Sequence, residues 1–305
     1  MRSVQGARLF SALLLVAANL FWAGQGVAVK LLDGHLDPLA IALLPFYCVT
    51  AIGFSILLSS RSFLPRCALA WRCRKEFFLA GICGQFIAQV GMTLGVSSSL
   101  ASNGAILSLL IPLLSALIAT WLLRERLTVL RMGSLLLGVA GVFLLSPFHR
   151  PALGASAHPL VGNLLITAGC LGSAFYNVYS KRLLDRFSDL EVLFFSYLAT
   201  TIFGLPMLIL FDPHCLTELG RFNASTWAAF GYLAVILYGL SMVLFLRALR
   251  RVDAIVASAS LYLVPLFGVG FAFAILNENL APQAILGSVF VLFATLMLFR
   301  FDYAV

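Results

Sequence analysis

Long uncharged apolar stretches fill most of the chain, broken only by short polar segments. About 20 apolar residues in a helix span a bilayer, and ten stretches approach that length: 9–32, 38–58, 77–97, 101–123, 127–146, 160–180, 190–211, 227–246, 254–276 and 281–299. A membrane barrel shows segments of about ten residues in strict alternation, and none occurs here. The pattern predicts an all-α membrane protein with ten transmembrane helices.

The stretches come as two copies of five. Residues 101–127 and 254–280 align without gaps and share eight identities in 27 pairs, including Pro112 with Pro265 and Glu125 with Glu278. Residues 13–32 and 164–183 share eight in twenty, including Lys30 with Lys181. The first stretch has basic residues before its apolar run, as a signal peptide has. Its partner deep in the chain makes it a retained helix. Five is odd, so the copies cross the membrane in opposite directions. Inverted repeats are a common plan of secondary transporters, with the substrate near the bilayer midplane at the repeat interface. The expected division is a first repeat over 1–147, a Pro/Gly/Ser-rich linker over 148–159 and a second repeat over 160–305.

Composition sharpens this picture. Charged residues make up 10% of the 305 residues and apolar ones 62%, against about 25% charged in soluble domains. The net charge of +8 would suit nucleic acid, but its placement speaks for topology. With a cytoplasmic N-terminus, 17 of the 20 Lys and Arg residues fall in cytoplasmic segments, all but Lys30, Arg150 and Arg221. Positive residues stay on that side during insertion, so both termini are expected there, with no nucleic-acid partner. The six cysteines form no disulfide or zinc pattern. There is no phosphate-binding loop of the Walker type, so no ATP hydrolysis and no cofactor are expected.

The two halves resemble EamA domains of the drug/metabolite transporter superfamily. The resemblance rests on the Trp22-to-Lys30 pattern, the ASNGAILSLLIPLLSALIATWLLRERL stretch followed by Gly133, and their echoes in Lys181 with Arg182, Pro265, Glu278 and Gly287. Ser173 departs from it, standing where a tryptophan is common in the sixth helix. The resemblance implies two five-helix EamA-like repeats around a central cavity, in a multi-pass protein of the cell membrane, with a bacterial inner membrane the expected location. It also implies movement of a small metabolite, often outward. Few charges in the spans point to a neutral or zwitterionic solute with apolar character, such as an amino acid or a derivative.

Polar groups inside a bilayer are costly unless paired or facing water. Asn19, Trp22 and Gln25 share roughly one helical face, and Gln85 and Gln89 share another. Asn103, Ser108, Tyr176, Asn177, Tyr238, Ser241, Ser260 and Tyr262 complete the candidate lining of a substrate cavity. The competing reading is interhelical hydrogen bonding, worth roughly 0.6–2 kcal/mol per bond. Gly133, Gly138 and Gly141 read as close-packing sites. Pro112 and Pro265 lie mid-span and are candidate hinges or static bends.

Crossing topology puts Lys181 and Glu125 at one face, and Lys30 and Glu278 at the other. Two symmetry-related ion pairs are expected to gate the two mouths; interfacial anchoring is the alternative. No Asp, Glu or His lies near the middle of a span. An intramembrane enzyme would need a nucleophile with a base, paired aspartates or metal-ligand spacing, and the chain shows none of these. A non-transporting receptor or structural protein is the third reading. Oligomeric state is not encoded in any of these features.

Overall fold

A computed structural model describes residues 2–60, 63–98, 107–145, 159–276 and 282–301. Among the described residues, six helices are long and apolar enough to cross a membrane: α1 (Leu9–Val29), α2 (Pro38–Leu58), α3 (Arg74–Ser97), α6 (Leu160–Leu184), α7 (Asp189–Phe211) and α8 (Ala224–Leu249). Four apolar helices are shorter there: α4 (Leu110–Leu122), α5 (Val129–Leu144), α9 (Ala254–Gly268) and α10 (Ile285–Phe299). The linker expected at 148–159 lies outside the described residues except for Pro159.

The halves are interlocked. Helix α6 packs along α3 and α4, α1 packs along α8 and α9, α2 lies on α7, and α5 lies on α10. Exchanging each helix for its counterpart five places on returns the same set of pairs. An inverted repeat produces this pattern when each half completes the other's core.

Two further features repeat. Helix α3 widens into a π-helical stretch at Leu79–Phe86, and α8 does so at Tyr232–Ser241. The two stretches begin 153 residues apart, the same offset that aligns α4 with α9. Such stretches are rare and concentrate at functional positions. The prolines also match. Pro112 and Pro265 are each the third residue of a helical segment, Leu110–Leu122 and Leu263–Leu276. A first-turn proline forfeits no helical hydrogen bond. The backbone irregularity falls just before each one, at Leu109 and in the 3-10 turn Ser260–Tyr262.

Glycine lets α3 and α6 touch backbone to backbone. A Cβ on Gly91 would lie 2.8 Å from Leu165 O, and one on Gly169 would lie 2.7 Å from Met92 N. One on Gly172 would lie 2.7 Å from Ala88 N. Small residues serve this purpose in membranes, where packing rather than water exclusion drives helix association. Of the three glycines in α5, Gly141 packs against Gly287 O and Gly138 against the Tyr262 ring. Gly133 has nothing within 4 Å of a built Cβ among the described residues, so none of these packs closely on it.

A short amphipathic helix, Phe63–Arg72, joins α2 to α3. Its Leu64 and Trp71 are 78% and 70% exposed. They are seven residues apart and so share a face. From another face Arg66 makes a two-pronged contact with Glu191, at 2.6 Å for each nitrogen. Glu191 and Ser188 form the capping box that starts α7. The serine hydroxyl accepts the Glu191 N–H at 3.3 Å, and the carboxylate accepts the Ser188 N–H at 2.7 Å.

Candidate functional site

At one end of the bundle the last turn of α6 meets the end of α4 and the start of α9. Lys181 Nζ donates to Glu125 Oε1 at 2.9 Å and to Val252 O at 2.8 Å, and it lies 3.4 Å from Asp253 Oδ1. Glu125 also caps α9. Its Oε1 accepts the Ala254 N–H at 2.7 Å and its Oε2 the Ile255 N–H at 3.0 Å. A carboxylate there meets both unsatisfied amides and the positive end of the helix dipole. Arg131 completes the group, pairing with Asp253 Oδ2 and donating to Arg126 O at 2.9 Å.

Local backbone sets this up. Arg124 adopts φ +56°, a left-handed conformation that ends α4, and the Glu125 N–H turns back to Ala119 O at 3.3 Å. The turn aims the Glu125 side chain across the bundle, where it is 7% exposed. Four charged residues thus tie the second repeat to the first at this end.

The repeat-related residues at the other end are Lys30 and Glu278. The Lys30 side chain and all of Glu278 lie outside the described residues, as does Asn103. The companions Arg131 and Asp253 have no charged counterparts, because the aligned positions hold Ala284 and Leu100. For that reason the sequence repeat did not reveal them.

Asp253 is poised to remain charged. Burial raises its pKa, but the hydrogen bond from Arg131 and the charge of Lys181 outweigh that and hold it below the usual 3.8. A depressed carboxylate pKa contributes stability above the unfolded value, and this is lost only as pH falls through the folded value. The stabilising effect of Asp253, read as the Tm difference between wild type and Asp253→Asn, is therefore expected to stay flat from pH 5 to 8. It should shrink only below about pH 4.

Deeper in the bundle, the expected cavity residues divide into two groups. In the first, polar atoms are partnered. Tyr238, on the π-helical stretch of α8, donates its hydroxyl to Gln89 Oε1 at 2.9 Å, with Ala42 O at 3.2 Å. Tyr176 OH lies 3.2 Å from Ser196 Oγ, with buried Gln85 beside it. Ser241 bonds back to Leu237 O within its own helix, and Ser260 to Ala257 O at 2.7 Å. Apart from these, Asn177 is buried next to Tyr176 in the chain, and Ser108 is half-buried on the turn before α4. Sequence reasoning missed two members. Tyr197 donates to Tyr238 O at 3.0 Å, and the Phe46 ring stands edge-on to both tyrosines, at 4.6 and 4.9 Å. Both look like ordinary apolar-span residues until neighbouring helices are known.

The first helix supplies a transition between the groups. Trp22 is half-buried with its ring 5.4 Å from that of Phe245. Half-buried Gln25 starts a new segment after a break at Gly24, where Tyr232 OH donates to Phe21 O at 2.7 Å. Asn19 donates to Leu15 O at 2.8 Å and to Ser260 Oγ at 3.0 Å.

The second group is unsatisfied. Of the expected residues, Asn19 Oδ1 and Tyr262 OH are buried with no hydrogen-bond partner among the described residues, and so are Ser115 Oγ, Ser134 Oγ and Ser258 Oγ, which were not expected in the cavity. They lie on α1, α4, α5 and α9, and α9 packs against each of the other three. Orphaned buried polar groups are rare in folded proteins, which singles these positions out.

Neither of two cavities among the described residues is lined by a residue from the expected substrate cavity. One, of about 540 Å³, is polar and lies among Arg66, Asp185, Arg186, Asp189 and Arg250. The other, of about 710 Å³, is apolar and lies between α2, α7 and the amphipathic helix.

Apolar helices in two inverted, interlocked halves, tied at one mouth by charges from both, define a multi-pass membrane protein of the transporter class. The chain belongs to the EamA-like transporter family, whose model matches residues 9–146 and 160–300. It is 26% identical over 268 residues to an uncharacterized transporter of Archaeoglobus fulgidus, covering 88% of this chain and 89% of that one. It is 24% identical over 274 residues to a probable terminal-alkyne amino-acid exporter of Streptantibioticus cattleyicolor, covering 90% and 88%. A match to the uncharacterized transporter YetK of Bacillus subtilis is 28% identical over 142 residues, and the chain spans only 41% of that protein. A solved crystal structure superposes with a TM-score of 0.75 over 96% of each chain at 20% identity, a likeness of fold alone.

Proposed function

We propose that this transporter is a secondary carrier that exports a small neutral or zwitterionic metabolite, such as an amino acid or a derivative, by alternating access between its two halves. The observation that carries the proposal is the Lys181–Glu125 contact, which joins the two repeats at a single mouth. With the positive-inside orientation, both termini and this mouth are cytoplasmic, and the membrane is the bacterial cell membrane. Lys181, Glu125, Asp253 and Arg131 then form the inner gate, and Lys30 with Glu278 form its outer counterpart. Pro112 and Pro265 sit where α4 and α9 flex as the gates exchange. The orphaned oxygens of α1, α4, α5 and α9 bind the polar part of the solute. Trp22, Gln25 and the amides of α3 orient the rest. An amino-acid cargo is supported by the exporter of S. cattleyicolor and by the scarcity of fixed charge in the spans.

Counterflow of radiolabelled amino acids and related metabolites in proteoliposomes tests this reading. Vectorial exchange is expected, and an enzyme or receptor would give none. Tyr262→Phe separates ligand contact from structural bonding. Removing an unpartnered buried hydroxyl should leave Tm unchanged or raised, while KM for the solute rises about five- to tenfold, the equivalent of one lost hydrogen bond. Tyr238→Phe should do the reverse, lowering stability by about 1 kcal/mol through loss of its bond to Gln89.

A further inference from the structure

The apolar cavity of about 710 Å³ is a groove on the flank of the bundle, away from the interlocked centre. Tyr47, Thr50, Ala51 and Phe54 of α2 form one wall, and residues from Phe194 to Ile202 of α7 form the other. Eight steps of helix place those limits about 12 Å apart along the bundle axis. The groove therefore runs inward from the membrane surface at the Glu125 end. Ile202, at its deep end, is 67% exposed, and Phe54 is 45% exposed. Within a bilayer those surfaces face acyl chains.

The amphipathic helix roofs the shallow end with Phe63, Cys67, Ala70 and Trp71. It is held over the groove by the Arg66–Glu191 contact on its far side, at 2.6 Å. A helix with exposed Leu64 and Trp71 and basic neighbours lies in the plane of the headgroups. At the mouth, the Arg74 guanidinium stands 5.3 Å from the centre of the Trp71 ring and donates to Trp71 O at 3.2 Å. Among the described residues no carboxylate forms an ion pair with Arg74. Arg72 and Lys75 flank it. One of the wall hydroxyls, Thr50 Oγ1, is buried and has no partner among the described residues. The groove thus combines an apolar slot, an unspent hydrogen-bonding group and a cation at headgroup depth.

We infer that the groove seats one acyl chain of an anionic phospholipid from the adjoining leaflet, with Arg74 holding its phosphate. Trp71 is the lid between chain and headgroup. This inference goes beyond the carrier reading and stands whether or not that reading does. A cytoplasmic leaflet is rich in anionic lipid, and each basic residue near such a surface adds about fivefold to its affinity for the lipid.

The test uses the full chain purified in neutral detergent and reconstituted with phosphatidylglycerol and phosphatidylcholine in equal amounts. Native mass spectrometry counts the lipids retained. Wild type is expected to keep one phosphatidylglycerol at least fivefold more often than phosphatidylcholine. Arg74→Gln should lose that preference. Ala51→Phe, which fills the slot from an exposed position, should retain neither lipid at this stoichiometry. A matching size-exclusion profile confirms that each variant is folded. Arg74→Lys, which keeps the charge, should retain most of the preference. Equal retention of both lipids by wild type overturns the inference, and so does undiminished phosphatidylglycerol on either Arg74→Gln or Ala51→Phe. Competition by free inorganic phosphate at millimolar concentration, or loss of the bound lipid on adding amino acids, also overturns it, since each would assign the site to a soluble ligand.

Discussion

Exchanging the charges of Lys181 and Glu125 is expected to fail as a rescue. A simple ion pair tolerates reversal, because attraction does not depend on which side carries which sign. Here the carboxylate of Glu125 has a second task, accepting the N–H groups of Ala254 and Ile255 at 2.7 and 3.0 Å. A lysine at position 125 would aim an ammonium at two donors and at the positive end of α9. A glutamate at position 181 would face Asp253 and Val252 O, both acceptors for the present lysine. Either single reversal leaves a mostly buried charge unpaired, which costs roughly 3 kcal/mol or more and should lower exchange at least tenfold. The double variant should recover less than a fifth of wild-type exchange. Substituted-cysteine accessibility from the Glu125 side should rise in all three proteins. Full recovery in the double variant would show that the cap on α9 is idle and that only the pair matters.

The second large effect is expected at the α3–α6 crossing. In Gly169→Val the first added carbon would fall 2.7 Å from Met92 N and 3.0 Å from Ala88 O, and both are backbone atoms. No rotamer change relieves a clash with backbone, so the helices must separate along the whole crossing where Gly91, Gly95 and Gly172 also meet their neighbours. Overpacking alone typically costs about 1–3 kcal/mol, and a forced separation of α3 from α6 should exceed the top of that range. The variant is expected to lose its monodisperse size-exclusion peak or to drop sharply in Tm. Gly133→Ala is the contrasting case. Among the described residues nothing lies within 4 Å of the added carbon, and replacing a helical glycine by alanine should stabilise the fold by up to about 1 kcal/mol.

These residues also mark how far the sequence could be read. The two-copy plan was visible because Pro112, Glu125 and Lys30 recur at fixed offsets, and because prolines and charges are rare enough in apolar spans to be informative. That Lys181 and Glu125 share a face follows from the odd number of crossings in each copy. Three things were not visible, each for its own reason. Arg131 and Asp253 carry no echo in the other half, so the repeat could not nominate them. The π-helical stretches leave the hydropathy pattern unchanged, since one extra residue in a turn alters which side a residue faces and not what it is. Gly133, Gly91 and Gly169 are indistinguishable along the chain, and only the helix opposite each decides whether it is needed. Tyr197 and Phe46 were hidden in the same way, as large apolar-span residues whose partners lie on other helices.

The unequal charge content of the two mouths has a kinetic meaning. Lys181, Glu125, Arg131 and Asp253 fasten the Glu125 end, whereas the positions aligned with these four supply only Lys30 and Glu278 at the opposite end. In the proposed cycle an idle molecule therefore waits with its cytoplasmic door bolted, and the slow event is unfastening that door. Such a carrier rectifies in time only. It cannot alter the gradient at which net flow stops, but it approaches that point at different speeds depending on the side from which cargo is offered.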